Sequence, residues 1–170
     1  MVKAGILGED DRVELVGGEI LQVTPQGPDH RSLKDELHGR LAEVYRGRDA
    51  HILDQGPLRA GPLGLPEPDL AVIRGRPRDF LDRHPDGTDA ILVVEIAKTS
   101  QERDRAKAVD YARGGVAVYW LLDLVARTLD VYSEPDRERG RYRHIDSLAD
   151  ADEVTLPLVG EQWKVASLLA

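Results

Sequence analysis

Two acidic residues lie in segments that are otherwise apolar. Asp69 opens the segment DLAVI directly after Pro68, and Glu95 is the fifth residue of ILVVEIAKTS, residues 91–100. If these segments are neighbouring strands, the two carboxylates meet at one end of a sheet. Close carboxylates repel each other unless a cation lies between them, and Mg²⁺ or Mn²⁺ with oxygen ligands relieves that repulsion. The pair therefore predicts a candidate metal site.

Other interpretations of Glu95 are open at this point. The residue can occupy a strand edge where its carboxylate reaches water, or it can form a buried structural ion pair. Structural ion-pair networks are common in proteins, so an edge acid and a buried salt bridge can account for Asp69 and Glu95 without a metal. From spacing alone, this simpler explanation is favoured over a metal site.

Two lysines follow Glu95 and can supply positive charge. A lysine two residues on would share the strand face of Glu95, but that position is Ala97. Lys98 points to the opposite face of a regular strand. Lys107 lies in the next predicted helix, from which it can reach the carboxylates, or it is a solvated residue paired with Asp104.

The elements that position these residues follow from periodicity and turn signals. RVELVGGEILQVT predicts a hairpin about its glycine pair, and a helix from about His30 to Arg46 follows, capped by Asp29. DLAVI, AILVVEIA, VAVYWLLDL and RTLDVYS predict strands, the second buried on both faces. Between them a helix from about Ser100 to Arg113 is predicted, with a Thr99–Glu102 capping box. Residues 1–170 are thus predicted to form one α/β domain with a mixed sheet.

Composition limits the function classes. The 170 residues contain no cysteine, which excludes disulfides, thiol catalysis and thiolate zinc sites. The net charge of −8 argues against wrapping long nucleic acid, though not against a local basic patch. No apolar run is long enough for a membrane helix, and the N-terminal MVKAGILGEDDR lacks a signal-peptide core. We expect a cytoplasmic protein that does not associate with membranes.

Four motifs resemble, in order and spacing, those of the Uma-two family from about Arg12 to Leu169. They are VELVGGEILQVTPQGPDH, PEPDLAVIRG, LVVEIAKTSQERDRAKAVDYARGGVAVYWLLDL and LDVYSEP. That family consists of bacterial restriction-endonuclease-like proteins of the PD-(D/E)XK nuclease superfamily. The resemblance implies a restriction-endonuclease-like core, in which a mixed central β-sheet is flanked by α-helices and an N-terminal β-hairpin is added.

The resemblance also implies site residues. Asp69 becomes the aspartate of the PD element, Glu95 the second acid, and the carbonyl of Ile96 a further metal ligand. Lys107 matches a helix-borne lysine that replaces the missing strand lysine, with Lys98 as the alternative. Further family positions and nearby cations that can contact substrate are Glu19, His30, Arg103 and Arg105. From its position at a helix start alone, His30 is better explained as a hydrogen-bonded structural histidine than as a metal ligand.

The function implied is a Mg²⁺- or Mn²⁺-dependent endonuclease that hydrolyses DNA phosphodiester bonds, with Asp69 and Glu95 binding the metal and a lysine assisting. DNA is then the partner, and a homodimer lets two sites address two strands. The alternative function, from a different class, is a catalytically idle protein of the nuclease fold that serves as a binding or assembly module.

Overall fold

The computed structural model describes residues 13–22 and 27–169. Residues 1–12, for which the sequence predicts no signal peptide, residues 23–26 and residue 170 lie outside the described residues. Two α-helices are described, α1 Pro28–Val44 and α2 Gln101–Gly114, with short 3₁₀ turns at Pro77–Phe80 and Val165–Leu168. The strands are β1 Val13–Val16, β2 Glu19–Gln22, β3 Ala50–Asp54, β4 Leu70–Arg74, β5 Ala90–Ala97, β6 Val118–Asp123, β7 Thr128–Asp136, β8 Arg141–Ala149, β9 Glu153–Thr155 and β10 Gln162–Lys164.

A mixed sheet of six strands forms the centre of the protein, in the order β3-β4-β5-β6-β7-β8. Strands β5 and β6 are parallel, and every other neighbouring pair in this sheet is antiparallel. A parallel pair needs a crossover connection, and α2 supplies it between β5 and β6. The predicted mixed sheet flanked by helices is confirmed.

Strand β5 is the centre of the core, and all eight of its residues are buried, as its continuous apolar run predicts. Alternate residues point to opposite layers. Val94 and Ile96 pack in the cluster that contains Leu37 of α1. Val93 packs in the cluster that contains Tyr111 of α2. Glu95 has the same strand parity as Val93, so its side chain is directed to the α2 layer.

The helix starts differ from the prediction. Helix α1 begins at Pro28 after Gly27, so Asp29 lies in its first turn and the predicted Asp29 cap is wrong. Helix α2 begins after Ser100, whose side chain makes no capping bond, so the Thr99–Glu102 capping box is also wrong. The Ser100 hydroxyl donates instead to Oδ2 of the buried Asp104 carboxylate, and it therefore makes no capping hydrogen bond.

The N-terminal hairpin is confirmed over the described residues. Strands β1 and β2 pair antiparallel, with Val16 opposite Glu19 across a two-residue turn. Gly17 and Gly18 in that turn have φ of 58° and 87°, the left-handed values that a tight hairpin turn of this type requires. Within the described part of the chain, no helix is long and apolar enough to cross a membrane.

Candidate active site

The neighbouring strands β4 and β5 bring Asp69 and Glu95 to the same region of the sheet. Leu70, the first residue of β4, is opposite Val94 of β5 in this antiparallel pair. Asp69 comes directly before Leu70 and Glu95 directly after Val94, so the two acids lie at the same end of the pair. Asp69 is 5% exposed and Glu95 3% exposed. The two strands are thus neighbours, which is the condition for the two carboxylates to meet, and the interpretation of Glu95 as an edge residue that reaches water is excluded.

Glu95 Oε1 accepts two hydrogen bonds from α2. Lys107 Nζ donates at 2.9 Å and the Tyr111 hydroxyl donates at 2.6 Å. Residues four apart share a helix face, so α2 presents Lys107 and Tyr111 together to the sheet. Lys107 is only 2% exposed, which rules out the alternative that it is a solvated helix residue.

Two further carboxylates surround the Lys107 ammonium. Glu14 of β1 places Oε2 3.0 Å and Oε1 3.1 Å from Lys107 Nζ, and Asp104 Oδ1 is 3.7 Å away. Both acids are buried. Among the residues described, Glu14 Oε2 accepts no hydrogen bond despite its contact with the ammonium. Three carboxylates from three separate elements therefore converge on one buried cation.

Asp69 is held from the backbone of β5 and from α1. The Ile96 amide donates to Asp69 Oδ2 at 2.8 Å. The Nε2 of His30 lies 3.1 Å from the same carboxylate oxygen and 2.8 Å from the Ile96 carbonyl oxygen. His30 Nδ1 is buried and has no hydrogen-bond partner in the described residues. Two of the predicted metal-ligand atoms thus lie within hydrogen-bond distance of one ring nitrogen.

The pKa shifts of the buried groups reflect a region with more acidic than basic side chains. Burial raises the pKa of Glu95 to about 8, against the opposing charge of Lys107 and with the help of the neighbouring carboxylates. Burial likewise raises the pKa of Asp104. For Lys107, burial lowers the pKa, but the charges of Glu95, Glu14 and Asp104 outweigh it and raise the pKa above its ordinary value.

The histidine is shifted in the direction that favours its charged form. Burial lowers the pKa of His30, but the hydrogen bond to Asp69, the charge of that carboxylate and the Ile96 carbonyl together raise it above 6.5. A charged imidazole can donate to an acceptor from each ring nitrogen, and Nε2 faces two acceptors. His30 is therefore a hydrogen-bonded part of the site.

The remaining predicted residues lie around this cluster. Lys98 is 55% exposed at its side chain and pairs with Asp29 of α1. Arg103 Nε lies 3.8 Å from Asp104 Oδ1. Glu19 is exposed on β2, and it is Glu14 on the paired strand that reaches Lys107.

Arg105 lies on a different face of α2. Its guanidinium pairs with Asp123 at 3.3 Å and with Asp130 at 3.7 Å.

The structure brings together five residues of the predicted set, Asp69, Glu95, Ile96, Lys107 and His30, and adds Glu14, Asp104 and Tyr111. Of the additions, Asp104 and Tyr111 carry a sequence signal, their helical spacing from Lys107.

The chemistry of the donor set suits a hard divalent cation. In residues 13–22 and 27–169, no three His, Asp or Glu side chains are arranged as a ready-made metal site. Four buried carboxylates, those of Glu14, Asp69, Glu95 and Asp104, nevertheless share the region with one lysine and one histidine. A divalent cation reduces such an excess of buried negative charge, and oxygen ligands are those that Mg²⁺ prefers. The residues present fit the metal that the sequence predicts.

The sheet order, the crossover helix and the buried acids next to a lysine define a restriction-endonuclease-like α/β protein. The chain belongs to the Uma2 family, described as "Putative restriction endonuclease", whose model matches residues 4–168. The resemblance seen in the sequence motifs is thereby confirmed. No curated protein is significantly similar in sequence.

Solved structures that match this chain include two nucleases. A putative nuclease belonging to DUF820 from Anabaena variabilis ATCC 29413 superposes with a TM-score of 0.78 at 17% identity, over 98% of this chain and 94% of that chain. The likeness shows that the two chains share a fold. The type IIG restriction endonuclease BpuSI matches with a TM-score of 0.44 at 14% identity, over 83% of this chain and 15% of that chain.

Proposed function

We propose that this protein is a divalent-metal-dependent endonuclease that hydrolyses phosphodiester bonds in DNA. The observation that carries the proposal is the buried Lys107–Glu95 pair, 2.9 Å between Nζ and Oε1, in the strand next to Asp69. Membership of a family described as restriction endonuclease supports the reaction class. A buried acid-rich cluster with a matched lysine is the arrangement such chemistry needs.

Each residue of the cluster has a proposed role. The carboxylates of Asp69 and Glu95 and the carbonyl oxygen of Ile96 would hold Mg²⁺ or Mn²⁺. When bound, the cation would act as a Lewis acid that polarises a phosphoryl oxygen, and it would lower the pKa of a bound water molecule. Lys107 stabilises the negative charge that develops on the phosphoryl oxygens. Lys107 is favoured over Lys98 for this role because its ammonium contacts Glu95, whereas Lys98 pairs with the exposed Asp29.

Two residues keep the acids oriented. The Tyr111 hydroxyl donates to Glu95 Oε1 and fixes that carboxylate from α2. His30 bridges Asp69 Oδ2 and the Ile96 carbonyl through one ring nitrogen. Hydrogen-bonding partners of this kind set the orientation of metal-ligand side chains. We therefore assign Tyr111 and His30 as positioning residues.

The DNA-contacting surface is proposed from the cations at the rim of the cluster. Lys98, Arg103 and Arg105 each pair with an acidic side chain. When DNA binds, a phosphate would replace that acid as the partner of each cation. Such contacts make binding fall with salt concentration. We also propose a homodimer in the cytoplasm, in which the two sites act on the two strands.

The test is cleavage of supercoiled plasmid DNA in the presence of Mg²⁺ or Mn²⁺. Asp69→Asn and Glu95→Gln are expected to reduce the rate by on the order of 100-fold or more, because each removes a charge at the reacting centre. The matched control is Glu134→Gln, which changes an exposed acid that pairs with the exposed His144. Its rate is expected to equal that of the wild type.

The outcomes separate the two function classes. Cleavage that survives both Asp69→Asn and Glu95→Gln excludes this site. A wild-type protein that cleaves neither DNA nor RNA with either metal favours the alternative, a nuclease-fold protein that acts as a binding or assembly module.

A further inference from the structure

The N-terminal hairpin is fixed to the α/β core by hydrogen bonds at its turn. The Gly17 amide donates to Asp110 Oδ2 on α2 at 2.6 Å, and the Gly18 amide donates to the Leu63 carbonyl at 3.0 Å. The Leu65 amide donates in turn to the Leu15 carbonyl at 2.8 Å. Asp110 is itself buried. The hairpin is therefore an integral part of the site region.

This anchoring directs one hairpin side chain into the acid cluster. Glu14 is 4% exposed, and its Oε1 accepts hydrogen bonds from the Glu67 amide at 3.2 Å and from Lys107 Nζ at 3.1 Å. Its Oε2 lies 3.0 Å from the same ammonium. Both carboxylate oxygens of Glu14 thus contact Lys107.

The other contacts of Lys107 leave its ammonium incompletely fixed. Glu95 provides one short contact, and Asp104 is at 3.7 Å, beyond normal hydrogen-bond distance. A lysine side chain has several rotatable bonds, so a single short contact restrains it poorly. Glu14 supplies the second short contact from β1, an element separate from both β5 and α2.

We propose that Glu14 is a positioning residue of the active site, which holds the Lys107 ammonium against Glu95. This inference rests on the proposed nuclease function and assigns a site role to the hairpin. Glu134→Gln, at the exposed acid that pairs with His144, serves as the matched control.

The first measurement is independent of catalysis. In metal-free protein, acylation of each lysine by an N-hydroxysuccinimide ester is followed by peptide mass spectrometry, with the exposed Lys164 as the internal reference. Glu14→Gln is expected to increase the acylation rate of Lys107 several-fold, and Glu14→Asp, which keeps the charge, is expected to restore part of the protection. Glu134→Gln is expected to leave the rate unchanged.

The second measurement is steady-state cleavage of DNA. Loss of a residue that orients a catalytic group typically reduces activity about 10- to 100-fold. Glu14→Gln is therefore expected to lower kcat by about that factor with KM unchanged, and Glu134→Gln to change neither. Asp110→Ala, which frees the hairpin turn without touching Lys107, is expected to act in the same direction as Glu14→Gln on both readouts.

The two readouts distinguish failure of this inference from failure of the proposed function. If the wild type cleaves no nucleic acid but Lys107 becomes reactive in Glu14→Gln, the positioning contact stands and the nuclease assignment fails. An unchanged Lys107 reactivity in both Glu14→Gln and Asp110→Ala overturns the inference. So does a higher kcat in Glu14→Gln, which would mean that Glu14 obstructs the site.

Discussion

Lys107 Nζ lies 2.9 Å from Glu95 Oε1, between a helix and the central strand, where both side chains are buried. A buried ion pair is expensive to form, because both charges leave water. Two further contacts offset part of this cost: the Tyr111 hydroxyl donates to Glu95 Oε1, and Lys107 Nζ donates to Glu14 Oε1. This relationship links stability and the proposed chemistry in one pair of side chains.

Lys107→Met is expected to destabilise the protein by about 3–5 kcal/mol, because it leaves carboxylates buried without their cation. Urea denaturation of the metal-free protein measures the free energy of unfolding. Lys164→Met, at a solvent-exposed pair with Glu153, is the control and is expected to cost less than about 1 kcal/mol.

The double variant Lys107→Met with Glu95→Gln sharpens this measurement. Removing both charges is expected to be less destabilising than the sum of the two single changes, because the uncompensated carboxylate disappears. An additive result would contradict a direct Lys107–Glu95 interaction.

Glu95→Gln is expected to change how stability depends on pH. The pKa of Glu95 is about 8 in the folded protein against an ordinary value of 4.5, so the folded state holds this proton more tightly. The resulting stabilisation is complete below the ordinary value and is lost as the pH rises towards the folded value. The free energy of unfolding of the wild type, relative to Glu95→Gln, is therefore expected to fall across that window.

Denaturation curves in chelator at a series of pH values test this expectation. Glu134→Gln, at an exposed acid, is the matched control variant. A wild-type advantage over Glu95→Gln that grows with pH would contradict a raised pKa for Glu95.

Strand alternation and local order place the two acids close together, whereas their assignment as site residues rests on the resemblance of the motifs to the family. Asp69 and Glu95 belong to apolar segments that form consecutive strands of one sheet, and β4 and β5 do pair. The burial of Lys107 is less predictable. The inward face of α2 also carries Asp104 and Asp110, so a hydrophobic pattern alone does not mark it as buried.

Glu14 could not be found from local sequence patterns. Its position depends on Gly17 and Asp110, which are 93 residues apart, and on a bridge between Leu15 and Leu65. The capping error at α2 has a similar origin, because Ser100 bonds a carboxylate that is buried by tertiary packing. Contacts between distant segments decide the position of Glu14 and the burial of Asp104, and periodicity carries no information about them.

Asp69→Asn is expected to lower the pKa of His30. The hydrogen bond and the charge of Asp69 are the main effects that raise that pKa, while burial lowers it. The amide keeps the shape of the side chain but removes its charge, so burial then dominates. Titration of the imidazole resonances by NMR in metal-free protein measures the shift.

The exposed His84 provides the internal control for that titration. Its curve is expected to be the same in the wild type and in Asp69→Asn. An unchanged His30 curve would mean that the Asp69–His30 contact is absent in solution.

Gly87→Ala is expected to destabilise the protein by about 1–3 kcal/mol, because there is no room for the added methyl group. A Cβ at Gly87 would lie 2.6 Å from the carbonyl oxygen and 2.7 Å from the carbonyl carbon of Gly114, at the end of α2. Backbone atoms cannot move aside as a flexible side chain can, so α2 would shift and carry Lys107 with it. Gly39→Ala is the matched control, because a Cβ there meets nothing within 4 Å in the interior of α1. It is expected to stabilise the helix by about 0.5–1 kcal/mol. Thermal and urea unfolding of both variants measure the two effects, and equal stabilities would contradict the close approach of Gly87 to the end of α2.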